Sequence, residues 1–191
     1  MTGTAFRAGG FNTKLAETLR AVMPAAKRIA VLDLPSYPQQ ERNQEFFKRM
    51  LPALGFEVAA VVTVASSGDF ARAYAQIKES KAEVIWAVPH ALLVSHARDL
   101  SDRALKARLP LVGARRAFAD GGALLSYDND LKEDYRRAAA FVDRILKGAK
   151  PADLPVEQPD RFQLVINLRA ATALGIRIPP SVRVRADELI E

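Results

Sequence analysis
Few side chains in this sequence stand where chemistry could be done, and those that do share one context. Each follows a short apolar run: Ser36 and Tyr37 after RIAVL, Ser66 after VAAVVTV, His90 after VIWAV, Arg115 and Arg116 after LPLVG, Tyr127 and Asp128 after ALLS. A guanidinium clamps a carboxylate through paired N–H donors, and a tyrosine ring stacks on a flat group. Hydroxyls, an imidazole and a carboxylate can complete the hydrogen bonds of a small polar molecule. This is a set suited to gripping a solute. Each member also has a plainer reading: His90 as a structural or exposed loop residue, the Arg pair as surface charge, Tyr127 as core.

Groups that would make or break bonds do not assemble. Cysteine is absent, which removes thiolate nucleophiles, disulfides and Cys-ligated metals. The two histidines, His90 and His96, lie six apart, a spacing that fits neither metal-binding pattern on one helix face. No serine sits in a G-x-S-x-G elbow. Asp33 could resemble a phosphoacceptor, but the acidic pair and lysine that chemistry requires cannot be placed. The turn Asp33-Leu34-Pro35-Ser36-Tyr37-Pro38 has prolines where a phosphate cradle needs glycines. Asp130 reads as the cap of the following helix, with Glu133 and Asp134 complementing its dipole. These observations imply no cofactor, no metal and no catalytic residue. An α/β enzyme of unknown reaction stays as an alternative, and it would need convergent groups at the strand ends.

The net charge of +6 is spread over helices, as at Arg136, Arg137, Arg144 and Lys147, without the basic stripe that nucleic-acid binding requires. Residues 1–7 lack the apolar core of a signal peptide, and no window is long and apolar enough to span a bilayer.

The elements that must position these residues alternate in type. Strands are expected at Arg28–Leu32, Val58–Val64, Val84–Val88, Leu109–Gly113 and Ala123–Ser126, as continuous apolar runs covered on both faces. Helices are expected at Gln39–Leu54, Asp69–Lys81, Ala91–Lys106 and Leu131–Lys147, the last with Tyr135, Ala138, Phe141, Val142 and Ile145 on one face. Only a short loop or turn is expected between the fourth and fifth strands, and Trp86 should lie in the core. Such alternation argues for an α/β, doubly wound, mostly parallel sheet. Ligands of such sheets bind outside the carboxyl ends of the strands, where the eight candidate residues fall.

Several stretches together resemble the ABC transporter substrate-binding protein family, in its type I periplasmic-binding-like branch. They are Lys27-Arg28-Ile29-Ala30-Val31-Leu32, the Pro35-x-x-Pro38 turn, Phe118-Ala119-Asp120-Gly121-Gly122, Leu125-Ser126-Tyr127 and the run from Tyr135 to Glu191, with Lys147–Gln158 the most specific. The resemblance implies a lobe of flavodoxin-like strand order with a C-terminal return segment. It divides the chain into a lead-in helix or linker (1–26), a second α/β lobe (27–130) and a return segment resembling part of the first lobe (131–191). The implied function is capture of a small organic solute between two lobes and its delivery to an ABC permease in the membrane. That makes the location periplasmic and the protein no enzyme. A sensor domain of a lactose-repressor-like regulator is the alternative of the same shape.

The chain departs from the family pattern at Leu34, at His90 and at Asp128, where relatives usually have Asn, Asp and Gly. On the same resemblance a first lobe and an export signal stand ahead of the match, so the chain reads as a truncated second half. Three expectations follow: weak binding by this chain alone, an unpartnered apolar face around Phe162, Leu164, Val165 and Ile166 unless it folds back, and self-association through that face.

Overall fold
Five apolar runs, too short for helices and too continuous for half-exposed strands, need cover on both sides. The computed structural model describes residues 3–4, 8–35, 40–157 and 162–191, with side chains from residue 10 onward except 131, 132 and 157. First come strand β1 (Gly3–Thr4) and helix α1 (Ala8–Val22). Strands and helices then alternate through β2 (Arg28–Asp33), α2 (Gln40–Ala53), β3 (Glu57–Thr63), α3 (Phe70–Glu79) and β4 (Val84–Ala87). Next are α4 (Ala91–Ser95), α5 (Ala97–Lys106), β5 (Leu111–Gly113), α6 (Arg116–Asp120), β6 (Leu125–Asn129) and α7 (Leu131–Leu146). The remainder is β7 (Val156–Glu157), β8 (Phe162–Asn167), α8 (Leu168–Leu174), α9 (Pro180–Arg183) and β9 (Glu188–Ile190).

Seven strands form one sheet in the order β3-β2-β4-β5-β6-β8-β9. Strands β2 to β6 run parallel, β8 enters antiparallel to β6, and β9 runs parallel to β8. Counted from β2, the parallel part has the flavodoxin-like order expected of a doubly wound sheet. The period-two pleat explains why the runs are apolar throughout. Ile29 and Val31 enter a core with Leu15, Leu19, Phe47, Leu51 and Trp86, while Ala30 and Leu32 enter the opposite one with Phe70, Ile77, Leu93 and Phe118.

Helix α1 closes the first of these cores, and Arg20 fastens it. The guanidinium donates to the carbonyls of Leu54 (3.1 Å), Pro24 (3.1 Å), Ala26 (2.6 Å) and Gly55 (2.7 Å), and lies 3.7 Å over the Phe56 ring. One side chain thereby satisfies carbonyls from two loops and ties α1 to the α2–β3 turn.

The structure revises several expectations. A helix, α6, stands between the fourth and fifth parallel strands in place of a turn, because Phe118 and Ala119 are buried and draw the segment onto the sheet. The expected helix 91–106 breaks at His96, whose backbone leaves the helical region and whose ring packs edge-on against Phe70 at 5.5 Å. The expected strand 123–126 lies further on, so Tyr127 and Asp128 are strand residues. Residues 162–191 add β8 and β9 to the main sheet, so Leu164, Val165 and Ile166 are buried rather than left without cover.

Among the described residues, four of the exposed large apolar side chains gather instead on α7. This helix starts where the Asp130 carboxylate accepts the Glu133 N–H (3.4 Å) and stops at Gly148, whose positive φ of 98° suits glycine. Phe141 is buried, but Tyr135, Val142, Ile145 and Leu146 are 75%, 56%, 37% and 81% exposed. α7 stands beside β1, which pairs in parallel with β7 as a separate two-stranded sheet.

Candidate functional site
The crevice of a doubly wound sheet opens where successive crossovers pass to opposite faces. Here α2, after β2, covers one face with Phe47 and Leu51, and α3, after β3, covers the other with Phe70 and Ile77. The crevice therefore lies at the carboxyl ends of β2 and β4. Strand order places Ser66, Asp33, His90, Arg115 and Asp128 along that one edge, at the ends of β3, β2, β4, β5 and β6. At a spacing of about 4.8 Å per strand, the row spans roughly 19 Å from Ser66 to Asp128.

Within the row the structure builds distinct local arrangements. At the end of β2, Asp33 is buried and its Oδ1 accepts the Leu34 N–H at 2.8 Å. Ser66 belongs to a capped turn in which Asp69 Oδ2 accepts the N–H of Ala65 and Ser66, both at 3.0 Å, and the Ser66 hydroxyl at 3.4 Å. Its partner Arg72 and these N–H groups hold the Asp69 carboxyl below its ordinary pKa. His90 caps α4, its Nδ1 accepting the Leu92 N–H at 3.4 Å. Ser36 and Tyr37 lie outside the described residues.

The densest cluster joins β5 to β6. Arg115 Nη1 donates to Asp128 Oδ1 at 2.9 Å and to Asn129 Oδ1 at 3.2 Å. Asp128 also accepts the N–H of Arg116 (3.1 Å) and of Asn129 (2.9 Å). Burial pushes the Asp128 carboxyl above its ordinary pKa, against the opposing pull of Arg115 and these N–H groups. The Asn129 amide in turn donates to Asp134 on α7. Asn129 and Asp134 were not among the candidates read from the sequence, where only their nearness to a strand end and a helix start marked them.

The other two candidates point elsewhere. Arg116 grips Glu188 of β9 with two nitrogens, at 2.6 and 2.7 Å, and reaches Asp120 at 3.3 Å. This pairing raises the Arg116 pKa and lowers that of Glu188. Tyr127 alternates to the sheet face opposite Asp128, where its ring stacks on Phe162 with centroids 6.0 Å apart, and Phe162 meets Phe11 edge-on at 4.9 Å. The edge thus unites Arg115 with Asp128, and separates both from Arg116's guanidinium and from Tyr127.

With that geometry in place, comparison with known proteins decides the family. A model of the family described as ABC transporter substrate binding protein matches residues 11–190. The chain belongs to this family. Among solved structures, a Streptococcus pneumoniae ABC domain in complex with L-Trp is 28% identical with a TM-score of 0.80, over 93% of this chain and 61% of that one. A conserved domain protein from Vibrio cholerae is 29% identical with a TM-score of 0.82, over 93% of this chain and 59% of that one. The ligand-free, open form of a substrate-binding protein with adhesive properties from Clostridium difficile shares the fold at 20% identity and a TM-score of 0.76, over 100% of this chain and 62% of that one. The chain therefore spans about three-fifths of the length of these relatives. A search of curated proteins finds no match. Among the described residues, no helix is long and apolar enough to cross a membrane.

Proposed function
We propose that this chain is the solute-holding half of an ABC importer's binding protein, offering the carboxyl edge of its sheet to a small organic solute that a second lobe closes over. The observation that carries the reading is the family match over nearly the whole chain. It is supported by the shared architecture of a relative solved with L-Trp. The solute would lie against the row Ser36, Tyr37, Ser66, His90, Arg115, Arg116, Tyr127 and Asp128, with Arg116 acting through the packing of α6 and Tyr127 through that of β6. On this reading residues 27–130 carry the solute face, the product is a solute handed to a membrane permease, and the compartment is the periplasm. No bond is made or broken. The polar groups of the edge are mostly committed to capping and pairing, which favours a binding face over a catalytic one.

The exposed stripe of α7 supports the second lobe. A two-stranded parallel sheet is not stable by itself, and Tyr135, Val142, Ile145 and Leu146 line a helix face that needs apolar cover. A further α/β layer would supply it and extend β1 and β7.

The test is a backbone NMR titration of the chain with L-tryptophan. Shifts should gather at 65–69, 88–90 and 114–116, with affinity weaker than micromolar because one face of a closing pair loses most of its contact area. Micromolar or tighter binding by this chain alone would overturn the two-lobed reading, and turnover of the solute would overturn the non-enzymatic one.

A further inference from the structure
Arg115 differs from the other cations of the edge in how it is held. Its Nη1 is occupied twice, by Asp128 and Asn129, while Nε and Nη2 have no acceptor among the described residues. Its side chain is 34% exposed, whereas that of Asp128 is 3% exposed. The carboxylate is therefore the inner member and the guanidinium the outer one. Both Asp128 oxygens are engaged, Oδ1 by Arg115 and the Asn129 N–H, Oδ2 by the Arg116 N–H. Asp128 is thus committed to orienting Arg115 and has little left to offer a ligand ammonium.

The nitrogens left open, Nε and Nη2, form the side of the guanidinium that presents two parallel N–H bonds, the geometry that matches the two oxygens of a carboxylate. Pinning Nη1 removes rotamer freedom before the ligand arrives, so less ordering remains to oppose binding. An amide of the same shape offers one acceptor and turns its own N–H donors toward those of the guanidinium, leaving one donor unpaired.

Resting on the solute-binding reading above, we propose that Arg115 is the carboxylate-recognising group of this edge, aimed by Asp128 and Asn129, and that the solute it takes bears a carboxylate. Asp128 is a positioning residue, and Arg115 touches the ligand. Arg116, committed to Glu188 and Asp120, plays no part in that contact.

The experiment follows the Arg115 Nε–H resonance while the chain is titrated with benzoate and, separately, with benzamide. Benzoate should move it with affinity at least about tenfold above that of benzamide, the preference expected of a charge-assisted pair. Arg115→Gln should abolish the preference, Arg115→Lys should keep part of it, and Asp128→Asn should reduce it. Equal response to the two probes, or a preference that survives Arg115→Gln, refutes the carboxylate assignment and leaves the solute-binding reading standing. Absence of any shift along 65–69, 88–90 and 114–116 with either probe refutes the assignment together with that reading. Should Arg115→Gln fail to fold, the wild-type comparison and Arg115→Lys still decide the matter.

Discussion

Gly113 ends β5 two residues before Arg115, and the space around it is already full. A Cβ added there would lie 2.4 Å from Phe118 Cδ2, 2.8 Å from Cε2 and 3.0 Å from Cγ. Carbon atoms rest at about 3.5–4.0 Å, so the ring must retreat by more than an ångström. Phe118 is fully buried in the core formed with Ile85, Leu93 and Leu100, and has nowhere to go without displacing α6. Overpacking of this kind costs about 1–3 kcal/mol, and the stiffer unfolded chain of an alanine variant returns about 0.4–1 kcal/mol. Gly113→Ala should therefore lose about 1–2 kcal/mol, a fall in Tm of roughly 2–8 °C for a chain of this size. Differential scanning calorimetry of wild type, Gly113→Ala, Phe118→Leu and the double variant measures it. The double variant should be more stable than the sum of the single effects implies, by at least about 0.5 kcal/mol, because the smaller side chain vacates the space the new methyl needs. Because α6 carries the Arg116 N–H to Asp128, the same substitution should also weaken benzoate binding. A Tm within a degree of wild type, or strictly additive effects, would refute the reasoning.

Arg20→Ala should destabilise by about 2–4 kcal/mol, since it deprives four carbonyls and the Phe56 ring of their partner; chemical denaturation checks this, and an unchanged midpoint would contradict the fastening role. The Glu83 carboxylate accepts the N–H of Lys27 and Arg28 at 2.7 and 2.8 Å, which lowers its pKa below the ordinary value of 4.5. A carboxyl lowered in the folded state adds stability that is present above its unfolded pKa and is lost as pH falls through the folded value. The Tm advantage of wild type over Glu83→Gln should therefore shrink from about pH 5 downward, and an advantage that grows in acid would sink the assignment. Val142→Ser combined with Leu146→Ser should leave the Tm within about 2 °C of wild type, because both side chains are exposed. It should also reduce binding of an apolar dye, and undiminished dye binding would place the open surface elsewhere.

Composition and periodicity were enough for the fold class. Continuous runs such as RIAVL and VIWAV can be continuous only if helices cover both faces, and the longer helical segments between them showed apolar faces at the proper spacing, while the five-residue α6 was too short to show a period. The ends of β2 to β5 followed from the same pattern within a residue, whereas β6 ran on past the expected Ser126 to Asn129. The capping role of Asp130 and the burial of Trp86 were legible for the same local reasons. Contacts between residues far apart were not. Arg115 and Arg116 are adjacent and alike in sequence, yet one turns to Asp128 thirteen residues on and the other to Glu188 seventy-two residues on. Tyr127 and Asp128 fall on opposite sheet faces only because β6 runs to Asn129. The return of β8 between β6 and β9, which buries Leu164 to Ile166 and leaves α7 as the open apolar face, depends on long-range strand pairing. Local propensity and hydrophobic period act over a few residues and can be read along the chain. Partner choice is a competition among all groups that the folded backbone brings within reach, and only the tertiary structure resolves it.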